Sequence, residues 1–152
     1  MRSSPILVLV ALAVALGGTA PSLAGTSTRS ASPHARARAL LGGCLAAIKR
    51  VPITAVRSNT PLVPQRNRQA QRANRHCDIS TKIDDLAYHH PRDKALAHAY
   101  AAASDLQLGI GDYVQYLVGV AFGRQDRAQL RRAIAEVKSG KRLAPRALRE
   151  LK

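Results

Sequence analysis

No acidic residue occurs before Asp78, although residues 25–77 carry ten lysines and arginines. Tryptophan is absent, phenylalanine occurs once, tyrosine four times and cysteine twice. With so few large side chains, each buried position removes little apolar surface from water. The apolar content is mostly Ala, Leu and Val, which predicts a thin core made by close helix packing. No alternating polar and apolar run survives inspection, so strands are not expected. The absence of Cys-x-x-Cys excludes the usual redox pair, and no Gly-x-Ser-x-Gly marks a nucleophilic serine. Aromatics are not interleaved with the arginines, so sequence-specific or single-strand nucleic-acid reading is not indicated.

What is present begins with an export pattern. Met1-Arg2-Ser3-Ser4-Pro5 is a short basic start, and Ile6 to Leu16 is an unbroken run of eleven apolar residues. At ~1.5 Å per residue that run spans only about half a bilayer core, which suits a signal peptide better than an anchor. A transit peptide would be amphipathic, and this run carries no arginine. Ser22-Leu23-Ala24 is the preferred cleavage site, because cutting after Ala20 would leave Pro21 next. The lipoprotein-like Leu41-Gly42-Gly43-Cys44 lies too far beyond the apolar run to act as one. The expected organisation is a cleaved leader over 1–24, a flexible tail over 25–32 and a single helical domain over 33–152.

In an exported chain Cys44 and Cys77 read as a disulfide, and closing that loop is worth ~3–4 kcal/mol. The formal net charge is +15, and it is unevenly spread. Residues 78–122 carry three bases and six acids, whereas residues 123–152 carry ten bases and three acids. A near-neutral middle therefore separates two cationic ends, a field that favours an anionic polymer or a membrane surface.

Helix signals fill the domain. Ser32 caps a first helix with Pro33 at its first position, and Leu41, Cys44, Leu45 and Ile48 form its apolar stripe. Val51-Pro52 ends it, and Pro52 to Pro64 reads as an ordered loop or linker. A second helical stretch runs from about Arg66 to His90, with a break near Asp78–Ser80. After Pro91, Leu96, Ala103, Ile110 and Leu117 alternate with Ala99, Leu106, Tyr113 and Val120 in a heptad seam, widened by Tyr100, Val114 and Ala121. Gly109 and Gly111 weaken that helix by ~1 kcal/mol each, and Gly123 stops it. A fourth helix starts at Asp126, buries Leu130, Ala133, Ile134 and Val137, and closes at Gly140; a short one follows Pro145, anchored by Leu148 and Leu151. The class is all-α, a small helical bundle of about four helices with one disulfide.

Candidate sites are few. The most functional-looking surface is cationic: Arg66, Arg68, Arg72 and Arg75 in one segment, and Lys141, Arg142, Arg146 and Arg149 in another. Arg68, Arg72 and Arg75 are spaced i, i+4, i+7, which lines three guanidiniums along one helix face for charge-assisted contact with an anion. His89 and His90, with Asp84, Asp85 and Asp93 nearby, are the alternative, a small hydrolase site. Adjacent histidines diverge by ~100° on a helix, so they make no i, i+4 metal pair. No cofactor or metal is expected. A third reading is a partner-binding helical module whose seam is incompletely buried.

Overall fold

Capping, seam and disulfide signals all lead to helices in the computed structural model, which describes residues 31–152 apart from residue 59. The described residues form five helices and no strand: α1 Pro33–Lys49, α2 Leu62–Cys77, α3 Ser80–His89, α4 Lys94–Ala121 and α5 Arg127–Glu150. The leader expected over 1–24, and most of the tail expected over 25–32, lie outside the described residues. The chain is an all-α bundle with one disulfide.

α4 is the hub, packed against each of the other four helices. All eight seam residues, from Leu96 to Val120, are fully buried. Tyr100 and Ala121 lie outside that stripe and are exposed, so the seam is narrower than its sequence suggests. Asp93 caps α4 by accepting from the backbone N–H of Ala95 and Leu96 at 3.0 and 3.2 Å. Gly123 ends it with φ 76°, the left-handed conformation that favours glycine.

The expected break at Gly140 and Pro145 does not occur. α5 runs uninterrupted for 24 residues, capped by Asp126 at the N–H of Gln129. Its buried residues are Leu130, Ala133, Val137, Gly140, Ala144 and Ala147, followed at the C-cap by Leu151, an unbroken alternation of three and four. Gly140 is therefore a packing residue. A Cβ there would lie 2.6 Å from Leu106 Cγ and 3.0 Å from the Leu106 backbone nitrogen. Gly109 on α4 is its counterpart: a Cβ there would meet Val137 Cγ2 at 2.6 Å and the Val137 nitrogen at 2.7 Å. Such close approach lets two helices with few large side chains bury a long interface. Pro145 removes one helical N–H, and the packing along α4 carries α5 across that gap. Ile134, expected in the core, is 42% exposed because it sits beside the three-four stripe.

α2 begins at Leu62, four residues before the expected start. Pro64 does not prevent this, because the first N–H groups of a helix have no partner inside it. The break between α2 and α3 is real, and its cap comes from α4. Gln107 accepts from the Ser80 N–H at 3.2 Å and donates to Asp78 at 3.3 Å. The first part of the segment between α1 and α2, from Pro52 to Val56, is held by α4. The Tyr113 hydroxyl lies 3.0 and 3.1 Å from the carbonyls of Pro52 and Thr54, and Tyr116 accepts from the Val56 N–H at 3.2 Å. The two rings stack with centroids 6.0 Å apart. Cys44 of α1 and Cys77 at the end of α2 form the expected disulfide, with both residues fully buried.

Candidate functional site

Charge, unlike packing, is carried to the surface. Arg68, Arg72 and Arg75 are all exposed on α2, and among the described residues no ion pair or side-chain hydrogen bond engages them. The helix itself contains no Asp or Glu, so the three guanidiniums form an unneutralised line. Gln65 and Gln71 flank it, and no large apolar side chain interrupts it. Arg66 points elsewhere: its Nη1 donates to the Pro52 carbonyl at 2.6 Å and to Thr54 Oγ1 at 3.3 Å. That residue ties down the α1–α2 loop and leaves the cationic face.

The second cationic segment is longer than its sequence reading allowed. Because α5 is continuous, Arg127, Arg131, Lys138, Arg142 and Arg149 fall within about 60° of arc at ~100° per residue. All five are exposed, as is Lys141. Arg146 is compromised, since its Nε donates to Glu150 at 2.8 Å. Arg127 and Arg131 were missed as members of this stripe; the three-four pattern running through Gly140 was the signal that would have found them. α2 and α5 each pack on α4.

The histidine and carboxylate candidates are partly brought together: Asp85 and His89 line one groove, and His89, His90 and Asp93 line another. His89 Nδ1 lies 2.7 Å from the Asp85 carbonyl oxygen, a backbone contact, and His90 is the exposed C-cap of α3. Asp93 shares a groove with both, yet its carboxylate is occupied by the α4 cap and by His34 Nε2 at 2.6 Å. His98 pairs with Glu150 at 2.5 Å, and Asp112 with Arg132 at 3.4 Å. Neither His34–Asp93 nor His98–Glu150 left a signal in sequence, because each joins residues more than fifty apart. Glu136 keeps one buried oxygen without a partner, and burial followed by Asp112 and Asp105 raises its pKa. Among the described residues, none of these three acids lines any of the larger grooves. No group of three or more His, Cys, Asp or Glu among the described residues could hold a metal ion. No helix among them is long and apolar enough to cross a membrane.

Asp93 supports a stability prediction. Its hydrogen bond to His34 is the chief cause holding its carboxyl below the usual range. A depressed folded pKa means stability that is present above the unfolded value of ~3.9 and lost as pH falls through the folded one. Asp93→Ala should cost about 1–2 kcal/mol at neutral pH by removing cap and pair together. Asp93→Asn keeps the cap and should cost less, while flattening the loss of stability as the pH falls below the unfolded carboxyl value of ~3.9. Urea unfolding at several pH values measures both effects. Equal losses for the two variants would place the whole effect in the pair.

No protein-family model, curated protein sequence or solved structure matches the chain.

Proposed function

We propose that this is an exported, non-enzymatic protein that binds an anionic polymer outside the cytoplasm through the exposed face of α2. The observation that carries the reading is the line of Arg68, Arg72 and Arg75, unpaired on a helix without a single acid. Over one i to i+7 interval these charges recur about every 5 Å, dense enough for one chain to meet all three. On α5 five charges spread over about 33 Å, a sparser row. A linear polymer fits the α2 face better than a membrane, which would need apolar side chains to insert beside the arginines. Export rests on the signal-like leader ending at Ala24 and on the buried disulfide, which persists in oxidising compartments. Against the hydrolase reading, the Asp93 carboxylate beside His89 and His90 is already engaged by His34 and by the α4 cap, and His89 Nδ1 faces the Asp85 carbonyl; against the module reading, the eight seam residues of α4 are buried within the chain.

Inorganic polyphosphate, a flexible chain of phosphates, is the direct probe. Binding should be strong at low salt and fall by roughly a hundredfold or more towards physiological salt, as counterion release requires. A neutral polymer of similar length should not bind. Equal retention of both polymers would end the reading.

A further inference from the structure

Beside the arginine line lies a groove of about 440 Å³ between α1 and α2, the most enclosed of the larger concavities. That volume falls within the ~300–1,000 Å³ of small-molecule sites. Val51 and Ala73 are buried at its base, and Gly43, Ala46 and Ala47 line its α1 wall. Small side chains on facing helices are what leave the space open; a Cβ at Gly43 would meet nothing within 4 Å. The wall is also fixed covalently, because Cys44 of α1 is bonded to Cys77 of α2 with 4.6 Å between Cα atoms.

The mouth has the opposite chemistry. Arg50 comes from the C-cap of α1, and Arg72 and His76 from α2; all three are exposed. Gln69 also lines the groove, and among the described residues none of the three cations makes an ion pair and no carboxylate lines it. A floor of small apolar side chains beside two guanidiniums complements a ligand with an apolar tail and an anionic head. The groove is concave, so it suits one chain of a free molecule better than the surface of a bilayer. Planar guanidiniums match a carboxylate through paired N–H donors.

We propose that the α1–α2 groove binds a single long-chain carboxylate, with its tail along Ala46, Ala47 and Ala73 and its head between Arg50 and Arg72. The site shares Arg72 with the polymer-binding face and is otherwise independent of it.

The test is calorimetric titration of the protein with decanoate below its micelle concentration, with decanol as the neutral control. Decanoate should bind at least roughly tenfold more tightly than decanol, the difference a charged pair of hydrogen bonds confers. Arg50→Gln should lose roughly threefold, since it removes one half of the head-group contact. Ala46→Phe places a ring in the groove from an exposed position; it should abolish decanoate binding while the melting temperature and polyphosphate binding stay unchanged. Decanoate and decanol binding alike, or Ala46→Phe binding decanoate as well as the parent, would overturn the proposal. Binding to phosphatidylglycerol vesicles without binding to decanoate would overturn it too, in favour of a flat lipid surface. In each of these cases polyphosphate binding decides separately whether the polymer reading stands.

Discussion

Replacing Gly109 with alanine should lower the melting temperature by about 8 °C, the shift that a loss of ~2 kcal/mol produces in a domain of this size. The new methyl group would stand 2.6 Å from Val137 Cγ2, 2.7 Å from the Val137 nitrogen and 3.0 Å from the Ala133 carbonyl oxygen. A side chain can rotate away, but two of those three atoms are backbone. The helices would have to part. Overpacking of this kind costs about 1–3 kcal/mol or more, and the ~1 kcal/mol that alanine gains over glycine in a helix recovers only part of it. Gly140→Ala should lose less, because two of its three nearest atoms belong to the Leu106 side chain. The same substitution should have the opposite sign at Gly42, which has nothing within 4 Å, and at Gly111, whose nearest neighbour is at 3.9 Å. Each of those should gain about 0.5–1 kcal/mol. Thermal melts of the four single variants measure the contrast. A Gly109→Ala protein melting as high as Gly111→Ala would mean that α4 and α5 do not approach this closely.

Removing the disulfide should have a larger effect. The Cys44→Ala/Cys77→Ala variant should lose ~3–4 kcal/mol, mostly through the greater freedom of its unfolded chain, and melt about 10–15 °C lower. The bond spans 33 residues, so it encloses the tyrosine-clamped loop and all of α2. Both cysteines are fully buried, which shields the bond from reductant until the bundle opens. Reduction of the native protein by dithiothreitol should therefore proceed at its unfolding rate and stop accelerating at high reductant. A variant melting within about 2 °C of the parent would show that packing alone pins α1 to α2.

Elements governed by local rules were legible in the sequence. The Ser32 cap, the eight-residue seam of α4, the Asp126 cap and the glycine stop at 123 all follow from spacing or capping chemistry, and each stands where expected. Errors arose where tertiary packing outweighs local propensity. Gly140 and Pro145 read locally as terminators, yet the buried stripe from Leu130 to Leu151 continues through both. Gly109 reads as a weak point and is a contact. Among the arginines, Arg68, Arg72 and Arg75 share the exposed face that their spacing implied, whereas Arg66 turned to a loop whose course depends on Tyr113 and Tyr116 some sixty residues away. Grooves were not legible at all, since Arg50 and Arg72 come to line one groove only when α1 and α2 pack.

Binding through the α2 face is tested most directly by two triple variants of equal net charge. One is Arg68→Gln/Arg72→Gln/Arg75→Gln on α2, the other Lys141→Gln/Arg142→Gln/Arg149→Gln on α5. Both should melt close to the parent, because exposed substitutions of this kind change stability by about 0.5 kcal/mol or less each. The measurement is polyphosphate affinity as a function of salt. The α2 variant should bind more weakly and lose roughly two to three units from the slope of log affinity against log salt, one for each lost contact. The α5 variant should keep most of the parent slope. Equal losses in both would show that net charge alone attracts the polymer, and a loss confined to the α5 variant would move the site to α5.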